Sequence, residues 1–147
     1  MKNEVLELRR EGIFCPAGGF YIDPRGMVDR ALITHAHSDH GRPGHNSYLC
    51  SDTCKSLLKI RIGKDAVVES LPFGEKIKIG NSLVSFHPAG HILGSAQIRV
   101  EVNGRVWVVS GDYKPQEDQT CEPFELVRCN GFITECTFGL PVYRWLP

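Results

Sequence analysis

Short apolar or alternating runs, separated by Gly, Pro, Asn and Asp, dominate the chain. Runs of this length that end at turn residues are typical of β-strands. Two dipeptides, Gly80-Asn81 and Asn103-Gly104, lie between successive runs and predict hairpin turns, because Asn and Gly tolerate positive φ. The pattern predicts strands over Val5–Leu8, Gly19–Ile22, Ala31–Thr34, Val67–Glu69, Lys76–Ile79, Leu83–His87, Gln97–Val102, Val106–Ser110 and Gly131–Thr134.

One segment, Asp52–Ile62, carries helix signals instead. Ser51 or Asp52 is a suitable N-cap, and Gly63 is a suitable stop. Many strands with one clear helix indicate a loop-rich α/β or β-rich protein.

Composition narrows the function class only slightly. The 147 residues suffice for one domain, and 17 basic residues balance 17 acidic ones, so charge neither supports nor excludes a nucleic-acid substrate. The absence of a signal-like start or a long apolar run predicts a cytoplasmic location and no membrane partner. Cysteines in that compartment are expected to be reduced, and Cys50 and Cys54 lack the second pair that a zinc finger needs.

The segment from Ala31 to His40 concentrates residues that bind metals. In extended backbone, residues two apart point the same way, so His35 and His37 can reach one metal. A turn at Ser38 would direct Asp39 and His40 towards a neighbouring point. Imidazole suits zinc, and a carboxylate suits a second, more hydrated position. A lone histidine is usually structural, but this cluster predicts a metal site.

Two further candidate ligands follow predicted strands. His91 comes shortly after one strand and Asp112 shortly after another. Gly90 and Gly111, immediately before them, let the backbone bend close to a ligand. Each residue alone is ambiguous, but with the first segment they complete a ligand set.

These motifs resemble a known family. His-x-His-x-Asp-His over 35–40, a later Gly-His and a later Gly-Asp resemble motifs two to four of the metallo-β-lactamase fold, and Tyr-Ile-Asp23 resembles motif one. The resemblance implies an α/β (α+β) fold, the αββα sandwich. It also implies that His35, His37 and His91 bind a first zinc, Asp39 and His40 a second, and that Asp112 bridges both. Asp23 would hold a ligand imidazole in one tautomer.

One expected ligand is missing. The family places a final histidine of the second metal far along the chain, and no histidine follows His91. The chain also ends on Tyr143, Trp145 and Leu146 with no polar tail. We therefore expect 1–147 to be the N-terminal part of the domain, with a β-CASP cap and the C-terminal part outside this chain. The sequence leaves open whether the fragment is active by itself.

The segment Ile133–Gly139 resembles motif A of the β-CASP nucleases. The resemblance implies that Glu135 orients a ligand histidine or the attacking water. Phe14-Cys-Pro-Ala-Gly, His87-Pro-Ala-Gly-His and Trp107-Val-Val-Ser-Gly-Asp resemble the bacterial ligase-associated DNA exonucleases. This implies a two-zinc nuclease, with manganese as the alternative metal, acting on DNA or RNA. It also implies a repair setting with an ATP-dependent DNA ligase and a helicase.

Other interpretations remain at this point. An RNA-processing nuclease and a thioester or lactone hydrolase would share the ligands through Asp112. The third alternative is a non-enzymatic module, but degenerate members of the family usually lose ligands, whereas every expected position through Asp112 is filled here. The segment Thr134–Gly139 favours a nuclease. Arg42, His45 and Lys114 lie beside ligand segments, where each is either a phosphate contact or a solvated surface residue.

Overall fold

A computed structural model describes residues 4–144 as two β-sheets and one helix. The first sheet has six strands in chain order, antiparallel up to the third and parallel thereafter. Its strands are β1 (Glu7–Arg9), β2 (Gly12–Cys15), β3 (Phe20–Ile22), β4 (Arg30–Leu32), β5 (Ser47–Ser51) and β6 (Val68–Leu71).

The second sheet has five strands, which are neighbours in chain order. Its strands are β7 (Ile77–Ile79), β8 (Ser82–Pro88), β9 (Ala96–Val102), β10 (Arg105–Val109) and β11 (Gly131–Ile133). The strands from β7 to β10 pair antiparallel, whereas β11 pairs parallel with β10.

The inner faces of the two sheets share one hydrophobic core. Alternate residues of each strand point inward, as in a β-sandwich. The first sheet contributes the fully buried side chains of Phe20, Ile22, Leu32 and Leu49, and the second contributes those of Val84, Phe86, Ile98 and Val100. This packing brings the ends of strands from both sheets to one edge of the molecule.

The helix α1 spans Asp52–Ile62, as the sequence predicts. The Ser51 side chain accepts from the Cys54 backbone amide, and Gly63 ends the helix at φ 116°. Cys54 and Leu58 are buried in a second core, which α1 forms on the outer face of the first sheet with Ala31, Ile33, Tyr48 and Cys50. No helix among residues 4–144 has both the length and the apolar character to cross a bilayer.

All nine predicted strands are present within two residues of their predicted bounds. Both hairpins are confirmed, and Asn103 and Gly104 adopt φ of 50° and 76°. The sequence pattern missed β2 and β5. β2 is a short strand directly before Pro16, and β5 runs directly into the N-cap of α1 with a buried Ser51.

The sandwich is confirmed with one helix in the described part of the chain. The predicted C-terminal ending falls partly outside it, because Trp145 and Leu146 are not among the described residues. Tyr143 is exposed.

Candidate metal centre

The first candidate ligands lie on the loop that follows β4. The chain leaves β4 through the buried residues Ile33, Thr34 and His35. The backbone amides of His40 and Gly41 then donate to the carbonyl of His37 at 3.1 and 2.7 Å. The chain therefore turns tightly after His37, at the position where the sequence predicts a turn.

Three imidazoles and one carboxylate meet at one point. His37 Nδ1 lies 3.1 Å from His35 Nε2 and 3.2 Å from His91 Nε2. Asp112 Oδ2 lies 3.8 Å from His35 Nε2 and 3.7 Å from His91 Nε2. The four ligand atoms lie within 4.8 Å of one another. Nitrogen lone pairs repel at such distances unless a cation or proton lies between them, so this donor set fits a metal ion.

A second cluster adjoins the first through Asp112. His40 Nε2 lies 3.4 Å from Asp112 Oδ1 and 3.5 Å from Asp39 Oδ2. One oxygen of Asp112 therefore faces the three histidines, and the other faces His40. This is the arrangement that a carboxylate bridging two cations requires.

Asp23 organises two of the imidazoles. It lies at φ 43° and accepts from the Thr34 amide at 2.8 Å and from the Thr34 hydroxyl at 2.5 Å. Its Oδ2 also lies 2.7 Å from His40 Nδ1. Because an ionised carboxylate only accepts hydrogen bonds, Nδ1 carries the proton and His40 Nε2 keeps its lone pair.

Thr34 extends the same effect to His35. The single hydroxyl proton of Thr34 is donated to Asp23, so its oxygen accepts from His35 Nδ1, which lies 3.1 Å away. His35 Nε2 is then free to bind a metal. Sequence analysis missed Thr34; the available signal was a polar residue at the end of a buried apolar run, directly before a candidate ligand.

Burial and mutual charge keep two of the ligands neutral. Burial, together with the nearby charges of His40, His37 and His91, lowers the pKa of His35 to about 2. Burial lowers the pKa of His91 as well. Burial also acts to lower the pKa of His40, but the hydrogen bond and charge of Asp23 outweigh it and raise that pKa. Neutral imidazoles are the form that binds metals.

Close backbone packing supports the ligand loops. The Ser95 hydroxyl accepts from the His91 amide at 3.0 Å, which fixes the loop after β8. Gly111 has φ 56°, and a Cβ there would lie 2.6 Å from Thr34 Cβ. The sequence predicts that the backbone at Gly111 comes close to a ligand. In the structure it comes close to Thr34, the hydrogen-bond partner of Asp23.

Glu135 follows β11 and lines a cavity of about 720 Å³ that Asp39 and His40 also line. Its carboxylate accepts from the Thr137 amide at 2.8 Å, and within residues 4–144 it accepts no hydrogen bond from a candidate ligand imidazole. Its role in orienting a ligand or water stays a prediction.

The other sequence candidates have different surroundings. Arg42 lines the cavity. Lys114 pairs with Asp118 at 3.0 Å. His45 is buried against Tyr48, with ring centroids 5.2 Å apart, so it is not a solvated surface residue. Cys50 and Cys54 are free thiols in the second core.

Comparison with known proteins places these features in context. No protein-family model matches the chain. A protein named probable DNA ligase from Opitutus terrae is 34% identical over 139 residues, which are 92% of this chain and 14% of that protein. A ribonuclease of Thermus thermophilus is 29% identical over 147 residues, covering 82% of this chain and 34% of the relative. The endoribonuclease ysh1 of Aspergillus fumigatus is 30% identical over 77 residues, covering 50% and 9%. The chain thus spans between 9% and 34% of the length of these relatives.

Solved structures share the fold. A B3 metallo-β-lactamase with an active-site glutamic acid gives a TM-score of 0.51 at 15% identity, covering 74% of this chain and 59% of that one. A CmlA β-hydroxylase variant gives 0.53 at 20% identity, covering 78% and 31%. The chain therefore has the metallo-β-lactamase fold, and its predicted resemblance to the nucleases of the β-CASP branch is confirmed.

Proposed function

We propose that the chain carries the two-zinc centre of a metallo-nuclease that hydrolyses phosphodiester bonds of DNA, as an exonuclease in repair. The observation that carries the proposal is the orientation of Asp112, whose two oxygens face two separate ligand clusters. The clusters are His35, His37 and His91 on one side, and Asp39 and His40 on the other. Two cations joined by one carboxylate are typical of enzymes that cleave phosphate esters.

The donor set supports zinc, because imidazole-rich sites with one carboxylate suit this metal, and manganese is the alternative. Bound zinc would supply a Lewis acid for the phosphate and lower the pKa of a water molecule towards neutrality. The chain's own residues would hold the site: Asp112 spans the two clusters, and Asp23 keeps a lone pair on His40 Nε2. Glu135 would position water or a ligand from the cavity wall.

Two features support DNA as the substrate. The relative from Opitutus terrae carries the printed name of a DNA ligase, and the sequence resembles ligase-associated exonucleases. An ATP-dependent DNA ligase and a helicase are the partners we propose, in the cytoplasm. An RNA-processing nuclease is the second candidate, because other relatives are named ribonucleases. A thioester or lactone hydrolase is the third, since such enzymes share these ligands.

The test compares the full-length wild-type protein with Asp39→Ala and His37→Ala, using Asp65→Ala as an exposed control. Each is incubated with end-labelled single-stranded DNA, matched RNA and a thioester, with zinc or manganese. We expect shortening of DNA by the wild type and Asp65→Ala, and loss of at least about 10³-fold in the two ligand variants. RNA cleavage alone would favour the second candidate. Turnover of the thioester without nucleic-acid cleavage would refute the nuclease.

A further inference from the structure

Four arginines line the cavity beside the candidate centre: Arg9, Arg10, Arg25 and Arg42. Arg10, Arg25 and Arg42 share its walls with Asp39 and His40. Among the described residues, none of these three guanidinium groups forms an ion pair with a carboxylate. Arg42 makes one hydrogen bond, from Nε to the Asp39 carbonyl at 3.1 Å. The fourth arginine of the cavity, Arg9, pairs with Glu7. Outside the cavity, Arg30 and Arg99 pair with Glu69 and Glu101.

Contacts between two backbone segments fix the positions of Arg10 and Arg25. The Arg25 amide donates to the Glu11 carbonyl at 2.7 Å, and a Cβ on Gly12 would lie 3.3 Å from Pro24 Cα. The β1–β2 turn, which carries Arg10, therefore lies directly against the loop of Asp23. Asp23 in turn contacts His40. The backbone that carries Arg10 and Arg25 is therefore held beside the candidate centre.

Three carboxylates line this cavity, those of Asp23, Asp39 and Glu135, and each already has a partner. Asp39 Oδ2 lies 3.5 Å from His40 Nε2. Asp23 accepts from Thr34 and His40, and Glu135 accepts from the Thr137 amide. The whole sequence is electrically neutral, so a general excess of positive charge does not explain unpaired arginines here. Guanidinium groups with free N–H donors suit phosphate oxygens, which their planar fork can bind through two hydrogen bonds.

We propose that Arg10, Arg25 and Arg42 form a phosphate track that binds the backbone of a single nucleic-acid strand on the β1–β2 side of the centre. This inference rests on the proposed function. The cavity, about 720 Å³, lies in the range of small-ligand sites, which suits a single strand better than a duplex. No Phe, Tyr or Trp of the described chain lines it. Binding therefore depends on phosphates and not on stacked bases.

The test separates binding from cleavage. Arg10→Gln/Arg25→Gln is made in the full-length protein on an Asp39→Ala background, so that the strand stays intact. Fluorescence anisotropy gives the Kd for a short single-stranded oligonucleotide and for an abasic strand of equal length, over a range of salt. The exposed Arg128→Gln, which does not line the cavity, is the matched control.

For the double variant we expect Kd to rise roughly tenfold or more for both strands. The slope of log Kd against log salt should fall by about 0.7 for each lost phosphate contact. Arg128→Gln should leave both quantities within about twofold of the parent value. An unchanged Kd and slope in the double variant would overturn the proposal, as would an abasic strand that the parent binds far more weakly.

Failure of the proposed function has a different signature. In that case the protein that keeps Asp39 would hydrolyse neither DNA nor bis(p-nitrophenyl) phosphate with any metal, whatever its affinity for the single strand. If the track exists and the protein is a nuclease, the double variant loses more kcat/KM on the long strand than on this small diester. Equal losses on both substrates would overturn the track.

Discussion

At the scale of single residues, both the backbone and the side chain of Asp23 are constrained. Its φ of 43° is uncommon for a residue other than glycine, and Thr34 and His40 together direct three hydrogen bonds to its carboxylate. Backbone conformations of this kind persist only where the surroundings stabilise them. Here the hydrogen bonds that stabilise the backbone are also those that orient two candidate ligands.

Replacing Asp23 by Asn tests this role. Asn tolerates positive φ, so the backbone is expected to survive. Its amide group has one oxygen in place of two carboxylate oxygens, and cannot serve both Thr34 and His40 as before. We expect metal affinity to fall about 10–100-fold, measured by titration with zinc. Asp29→Asn, at an exposed acidic residue, should leave the affinity unchanged. Equal affinities in both variants would show that His40 is oriented by another group.

Gly111 makes a second prediction about one residue. Gly111→Ala would place a methyl group against Thr34 at φ 56°, whereas Gly104→Ala meets no atom within 4 Å at φ 76°. Both variants suffer backbone strain of about 1–2 kcal/mol, but the first also overpacks, which adds about 1–3 kcal/mol. Urea unfolding should therefore rank Gly111→Ala well below Gly104→Ala in stability. Equal losses would contradict the close packing of Gly111 on Thr34.

At the scale of secondary structure, caps and periodicity decided what the sequence could predict. The bounds of α1 follow from Ser51 and Gly63, which satisfy its terminal groups locally. The predicted strand bounds were less accurate than those of the helix, because a strand ends where its hydrogen bonds to the neighbouring strand end. The register of β5, for example, is set by pairing with β4 and β6. No local pattern in Ser47–Ser51 reports those partners.

Ser51 links α1 to a ligand loop. Its hydroxyl accepts from the Cys54 amide at 3.3 Å and donates to the Gly94 carbonyl at 2.6 Å. Ser51→Ala should cost about 1–3 kcal/mol, because it removes the N-cap and leaves a buried carbonyl without its donor. Ser56→Ala, an exposed change in the same helix, should be within about 0.5 kcal/mol of wild type. Thermal unfolding of both variants measures the difference, and equal stabilities would contradict the link.

At the scale of the whole molecule, the candidate centre belongs to neither sheet alone. The 35–40 segment follows β4 in the first sheet, whereas His91 and Asp112 follow β8 and β10 in the second. The types and spacing of these residues predict a metal site, and the structure brings His35, His37, His91 and Asp112 together; that they bind metal stays a prediction. The directions in which the two Asp112 oxygens point, and the arginine-lined wall of the cavity, were not predictable, since both depend on how the two sheets pack together.

Metal should therefore stabilise the docked sheets. If the proposed centre binds zinc, free zinc at 100 times Kd adds about 2.7 kcal/mol to the free energy of unfolding. Differential scanning calorimetry should show a higher Tm with zinc and its reversal by a chelator. His91→Ala should lose most of this shift. His87→Ala, at a histidine outside the ligand cluster, should keep it. A shift of equal size in both variants would place the bound metal elsewhere.

The contribution of both sheets to the ligand set also bears on the order of events in folding. His35 and Asp112 are far apart in the chain, and contacts between such distant residues form late because closing long loops costs entropy. A cation that needs all the ligands can recognise only the nearly complete structure. Metal would then leave the rate of folding almost unchanged and slow the rate of unfolding. The centre would thus set the lifetime of the native state more than the speed at which the chain reaches it.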